Sequence, residues 1–221
     1  MAQKLDMAKV KPALRRKLAQ ADTPVKPRVQ LGFIHHNVDC IGCRSCEIAC
    51  KDKNGLPAGP RLRRVQYIEG GRFPEVFAYK VNMSCNHCAA PACLPTCPTG
   101  AIWKRAEDGI VDIDSTLCIG CRRCEAACPY GAPQWDPQEQ IVKKCNLCVD
   151  EIAAGRQPYC VMACLMRVLD VGPIDKLWAG THPTPALGRQ ERAVKQVKNM
   201  ADPELTLPSI AFVPHPKGRI D

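Results

Sequence analysis

Apolar residues along this 221-residue chain fall in short bursts separated by turn residues. Val29–His35 reads as a short strand. Leu62–Ile68 and Val76–Met83 flank Gly70-Gly71, which predicts a hairpin turning at the glycines. Ile102–Lys104 and Ile110–Ile113 flank Glu107-Asp108-Gly109, a second hairpin signal. Pro133–Trp135 and Gln140–Lys143 flank Asp136-Pro137, a third. A helix fits near Val149–Ala154, with Gly155 placed to end it, and Val168–Val171 returns as a strand. Leu14 and Leu18 lie four apart among Arg15, Arg16 and Lys17, the spacing of a short helix. A solvated arm is the simpler reading of residues 1–30, and a docking arm for an acidic partner surface is the functional one. Beyond Gly180 the sequence is rich in Pro and charge and predicts an extension that wraps the rest. No uncharged apolar run approaches the ~20 residues of a membrane helix. The best candidate, Tyr159–Met166, reaches only eight residues before Arg167.

Composition changes this picture in one respect. With 20 Pro, 15 Gly and 5% aromatic residues, a core of large rings is not expected. A chain so rich in turns needs staples such as bound metal, and it has 16 Cys. Disulfides suit small secreted scaffolds with irregular spacing. Here every cysteine belongs to one of four regular groups, and no secretory signal precedes them. Arg15-Arg16 looks like a twin-arginine export signal, but no apolar region follows it.

Three cysteines three apart, then a fourth after four residues, make up CIGCRRCEAACP: Cys118, Cys121, Cys124 and Cys128, then Pro129. In the bacterial ferredoxin pattern the first three thiolates of such a run hold one [4Fe–4S] cube and the fourth reaches a different cube. The fourth has left the loop and is expected at the start of a helix. A zinc site takes four donors, usually from two separated pairs, so the spacing favours cubes. Cys40, Cys43, Cys46 and Cys50 form a matching run. Cys85, Cys88, Cys93 and Cys97 form another with a longer second gap, and Cys145, Cys148, Cys160 and Cys164 a fourth whose second gap holds a helix. Sixteen thiolates around four oxidised cubes would bring the formal charge from +9 to about +1. The basic balance therefore offsets buried negative groups and is no footprint of nucleic acid. Residues 1–30 still carry +6.

Four runs separated by hairpins imply two ferredoxin-like units of two cubes each. The fold expected is α+β, the inner unit inserted in the outer, with short hairpins and long irregular loops. Runs two and three, close in sequence, pair by exchanging fourth cysteines. Site C is then Cys85, Cys88, Cys93 and Cys128, and site D is Cys118, Cys121, Cys124 and Cys97. Runs one and four pair around them. Site A is Cys40, Cys43, Cys46 and Cys164, and site B is Cys145, Cys148, Cys160 and Cys50. A sequential pairing, one with two and three with four, is the competing scheme. The divisions follow: a basic extension at 1–30, an outer unit at 31–82 plus 145–180, an inner unit at 83–144 and a tail at 181–221.

Residues 30–180 resemble the iron–sulfur subunit of the dimethyl sulfoxide reductase family of complex iron–sulfur molybdoenzymes. The resemblance rests on DCIGCRSCEIACKDKN, VFAYKVNMSCNHCAAPACLPTCPTGAI, LCIGCRRCEAACPYGAPQW, KCNLCVDEIAAGRQPYCVMAC and DVGPIDKL, including the unequal gaps of runs two and four. It implies the crossed pairing, four [4Fe–4S] clusters and roughly 16 irons, because all sixteen ligands are present. It also implies a large molybdopterin catalytic subunit and a membrane quinol subunit as partners. The chain would relay single electrons between them and do no bond chemistry itself. Its place would be a soluble subunit held at the cytoplasmic membrane, on the periplasmic face by co-export with its partner or on the cytoplasmic face. Leu165 departs from the family, whose members often have Pro after this cysteine.

Arg44, Arg122 and Arg123 lie inside runs one and three. Positive charge beside a cube favours its reduced form, so they are candidates for raising potentials, with ordinary surface arginine as the plain alternative. His87, between Cys85 and Cys88, reads as a residue behind the ligands or at the surface. His35 and His36 read as strand or surface, and Trp103, Trp135 and Trp178 as packing against the loops. No dinucleotide fingerprint, phosphate loop or nucleophile elbow is present. A free-standing polyferredoxin and a zinc-binding nucleic-acid module are the alternatives from other classes.

Overall fold

The computed structural model describes residues 25–181, 193–218 and 220. The helix suggested at Leu14 and Leu18 lies outside them. In chain order the elements are β1 (Leu31–His36), α1 (Ser45–Lys53), β2 (Arg64–Arg72), β3 (Glu75–Met83), β4 (Ile102–Lys104), β5 (Val111–Ile113), α2 (Arg123–Ala127), β6 (Gln134–Asp136), β7 (Ile141–Lys143), α3 (Val149–Ala153), α4 (Tyr159–Met162), β8 (Leu169–Pro173), α5 (Ile174–Ala179) and β9 (Ile210–Val213). This is a mixed α+β fold of small sheets and short helices. Among the described residues no helix is long and apolar enough to cross a membrane.

β1 is the middle strand of a three-stranded sheet, with β8 antiparallel on one side and β9 parallel on the other. Successive side chains of a strand point to opposite faces. Phe33 accordingly joins a core with Val65, Ile110, Leu147 and Leu169 that also contains Cys46, Cys85, Cys145 and Cys160. Ile34, one residue on, packs on the other face with Ile174 and Leu177 of α5. One strand thus separates a cysteine-bearing core from a plain aliphatic one. His35 and His36, read as strand or surface, are strand residues and fully buried.

The three hairpins form as β2–β3, β4–β5 and β6–β7. The first turns later than the glycines suggest. Gly70 and Gly71 are paired inside the ladder with Phe77 and Val76, and the turn falls at Phe73-Pro74, beyond the Arg72–Glu75 pair. Proline has no N–H to give a ladder and is accepted at a turn. Gly70 meets a different need: a Cβ there would lie 2.7 Å from the Phe77 ring.

The extension beyond Gly180 carries a strand that its Pro-rich composition hid. All four residues of β9 are buried, and Phe212 exchanges backbone hydrogen bonds with Val194. Before β9, residues 206–209 hold the Cys85–Cys88 loop. Ala89 N–H donates to Leu207 O at 2.8 Å, Ala90 N–H to Thr206 O at 3.0 Å and Ser209 N–H to Asn86 O at 2.8 Å.

Candidate metal centres

Every ligand run places its third and fourth cysteines four residues apart. In runs one and three that interval is helical. Cys46 and Cys50 lie on one face of α1, and Cys124 lies in α2 with Cys128 capping its end. The fourth cysteine of run three therefore ends a helix, where the sequence suggested that it starts one. Each helix begins one residue before the third cysteine because Arg44 and Arg122, just before each helix, adopt left-handed backbone (φ 60° and 59°) that turns the loop into it. One helical turn rises about 5.4 Å, so the two thiols of each pair face neighbouring spaces.

Three cavities collect those thiols. One, of about 360 Å³, is lined by Cys85, Cys88, Cys93 and Cys128. A second, of about 320 Å³, is lined by Cys97, Cys118, Cys121 and Cys124. A third of the same size is lined by Cys40, Cys43, Cys46 and Cys164. The remaining four thiols also converge: Cys50 interacts electrostatically with Cys145, Cys160 and Cys148. Each group combines three cysteines of one run with the fourth of another. All sixteen cysteines are free. Among the described residues no three His, Cys, Asp or Glu side chains could close on one metal ion. Three thiols from one loop joined by a displaced fourth from another run are the ligand set of a polynuclear iron–sulfur cluster.

Burial acts strongly on the thiols. It pushes Cys88 and Cys160 up to about 12 and Cys124 to about 11, with neighbouring thiolates adding to the shift. Cys43 moves the other way, lowered by hydrogen bonds from Ser45. At Cys97 burial raises, but hydrogen bonds from Thr99, Ile102 and Ala101 outweigh it. Buried thiols of this kind lose their protons to a metal and not to water. Several polar groups already point at sulfur. Asn82 Nδ2 donates to Cys46 Sγ at 3.1 Å, Ala132 N–H to Cys128 Sγ at 3.4 Å and Leu147 N–H to Cys145 Sγ at 3.4 Å.

The cations that face the thiols are not the ones the runs advertise. Arg44, Arg122 and Arg123 are exposed. Arg122 pairs with Glu125 at 2.7 Å, and Arg44 lies over the Tyr67 ring. Among the described residues the buried cations are Arg63, Lys104 and Lys144. Lys104 Nζ donates to Cys88 O at 2.8 Å and Gly109 O at 2.9 Å. Lys144 lines the cavity of Cys85 and Cys93 and donates to Cys145 O at 2.8 Å and to Val111 O. Strand alternation carried a usable signal for one of them. Lys143, the last residue of β7, turns to Asp136 and Glu139, and continued alternation places Lys144, just past the strand, on the inward side with Val142. His87 is fully buried, and its Nδ1 accepts from Val111 N–H at 3.0 Å. Trp135 lies against the loop of run three, packing with the core that holds Cys118 and Cys124.

Residues 76–174 match a protein family described as a 4Fe-4S dicluster domain. The protein is 47% identical over 156 residues to a chain of the anaerobic dimethyl sulfoxide reductase of Escherichia coli K12, covering 67% of this sequence and 76% of that one. The corresponding chain of Haemophilus influenzae is 45% identical over 157 residues, with the same shares covered. A subunit of the sulfite dehydrogenase of Allochromatium vinosum is 41% identical over 146 residues, 57% of this sequence and 61% of that one.

Proposed function

This protein is a member of the iron–sulfur subunits of the dimethyl sulfoxide reductase family, and from that premise we propose that it carries four [4Fe–4S] clusters as an electron relay. The observation that carries the count is the three-plus-one grouping of all sixteen thiols around separate spaces. Site A takes Cys40, Cys43, Cys46 and Cys164. Site B takes Cys145, Cys148, Cys160 and Cys50. Site C takes Cys85, Cys88, Cys93 and Cys128, and site D takes Cys118, Cys121, Cys124 and Cys97. Each cluster would supply a reversible one-electron couple.

The residues of the chain set the order of the relay. Cys46 and Cys50 hold sites A and B one helical turn apart on α1, and Cys160 in α4 and Cys164 just beyond that helix join the same two sites. Cys85 and Cys145, which interact electrostatically within one core, join site B to site C. Cys93 with Cys97 and Cys124 with Cys128 join C to D. The order is A, B, C, D, with an inner unit (C and D) inserted in the sequence of an outer one (A and B). Its ends are where outside electrons enter and leave, because Cys43 and Cys121 are the exposed ligands. The partners of this reading are a molybdopterin catalytic subunit and a membrane quinol subunit, with the chain non-catalytic between them. That arrangement is favoured because relatives of this protein are named as parts of dimethyl sulfoxide reductase and sulfite dehydrogenase.

Iron and acid-labile sulfide analysis of the purified complex tests the count. Roughly 16 of each per chain are expected, and four or fewer metal atoms would end the reading. Cys50→Ser tests the pairing: it should perturb the cluster of Cys145, Cys148 and Cys160 and spare that of Cys85, Cys88 and Cys93. The reverse result would restore the sequential scheme.

A further inference from the structure

Arg63 is buried to 2% exposure, yet none of the ion pairs among the described residues gives it a carboxylate. An arginine cannot shed its proton, and a buried charge without a counter-charge is costly. The negative groups it faces are thiolates: Cys160 and Cys145 of site B, Cys46 of site A and Cys50 of site B. Its position is fixed on three sides. Nη1 donates to Asn82 Oδ1 at 2.8 Å, Nη2 to Ser84 Oγ at 3.0 Å, and the guanidinium lies 4.2 Å from the centre of the Phe33 ring. Asn82 is thereby oriented with its Nδ2 on Cys46 Sγ at 3.1 Å. Burial keeps the neighbouring His35 neutral, down to about 3, so it adds no second charge.

Lys144 repeats the arrangement one step along. It interacts with Cys85 and Cys93 of site C and with Cys145 of site B, sharing its field with Asp112. Among the described residues site D shows no counterpart: its cavity is bordered by Arg122, which is exposed and paired with Glu125.

We propose that Arg63 and Lys144 are shared counter-charges, each seated on the boundary between two neighbouring clusters and raising the potentials of both. The proposal rests on the four-cluster reading above. Four thiolates around a [4Fe–4S]2+ core carry about −2, and about −3 once an electron is taken up. A fixed positive charge stabilises the second state more than the first. A charge on a boundary acts on two sites at once, and site B lies on both boundaries. Arg63 and Lys144 are positioning and tuning residues here, since neither bonds to iron.

Potentiometric titration of the purified complex, followed by EPR, tests this. Four titrating centres in the unaltered complex test the underlying reading separately. In Arg63→Gln two of the four potentials should fall together and two stay, each fall amounting to at least a tenfold change in the ratio of oxidised to reduced cluster, or 59 mV for one electron. Arg63→Lys, which keeps the charge and loses the forked hydrogen bonds, should restore them. Lys144→Gln should also lower two, and the two pairs should share one cluster. Should Arg63→Gln fail to load its clusters, Lys144→Gln decides alone: two falling supports the proposal. Movement of one centre, of all four or of none, or identical pairs in the two variants, overturns it.

Discussion

Sites A and D and sites B and C are built from the same loop, Cys-x-x-Cys, and differ in what stands between the cysteines. At the ends the loop is Cys-Ile-Gly-Cys. Ile41 and Ile119 are 55% and 66% exposed, and Gly42 and Gly120 supply the positive φ (74° and 67°). In the centre the loops are Cys-Asn-His-Cys and Cys-Asn-Leu-Cys. His87 and Leu147 stand where the glycines were, keep the positive φ (43° and 60°) and are completely buried. A bulky residue in left-handed backbone is strained. The central loops accept that strain because both side chains are completely buried, whereas the exposed Ile41 and Ile119 leave their glycines free to supply the turn. The same loop thus serves as a door at each end and as a wall in the middle.

The largest difference between centre and ends is expected at the ligands. Cys145→Ser or Cys160→Ser strikes a thiol inside the main core and should cost more than half of the roughly 16 irons, whereas Cys121→Ser, at an exposed ligand, should cost no more than about four. Equal losses in an iron assay would show that centre and ends are alike. Next comes the wall itself. Leu147→Ala empties a completely buried position and should destabilise by about 2–5 kcal/mol in denaturant titration, while Ile119→Ala should change almost nothing. Gly120→Ala reverses the contrast, because its Cβ would come within 2.5 Å of Gln140 O and 2.6 Å of the Trp135 ring. Damage from it should stay at site D and appear as the loss of one EPR signal.

A smaller effect sharpens the electrostatic side. Only a thiolate reacts with an alkylating reagent. In the chelator-stripped chain, the depressed Cys43 thiol should be labelled first, and its rate should fall as pH drops through its lowered pKa. Cys88 and Cys160, pushed up to about 12 by burial, should stay unlabelled near pH 8 until the chain is denatured. The stability sign agrees: a thiol raised above its ordinary value supports the folded state below about pH 8.5 and withdraws that support as pH climbs toward 12. Peptide mass mapping of the labels checks the order. Least affected should be Arg122→Ala, whose exposed pair with Glu125 leaves thermal stability unchanged and moves the potential of site D far less than Arg63→Gln moves A and B.

Much of this was open to reading because cysteine spacing is set by loop geometry. The second and third hairpins, the α3 helix and β8 were equally plain, since each is bounded by its own turn residues, whereas the first hairpin keeps Gly70 and Gly71 inside its ladder and turns at Phe73-Pro74. The charges were not. Arg44, Arg122 and Arg123 sit within the runs but point outward. Arg63 lies outside every run, and only the pairing of β2 with β3 brings it to Asn82, 19 residues further on. Burial of one arginine among Arg61, Arg63 and Arg64 is decided by tertiary packing, which adjacency in sequence does not express. β9 was hidden for a similar reason: its four apolar residues lie between Pro208 and Pro214, and only pairing with β1, far away in the sequence, makes them a strand.

That long-range pairing has a consequence in time. Ser209, whose hydroxyl donates to His87 O, follows it by 122 residues. At about 5–20 residues per second of synthesis, the Cys85–Cys88 loop is exposed on the ribosome for on the order of ten seconds before the segment that latches it arrives. During that interval iron and sulfide can reach the loop from a side that the finished molecule closes.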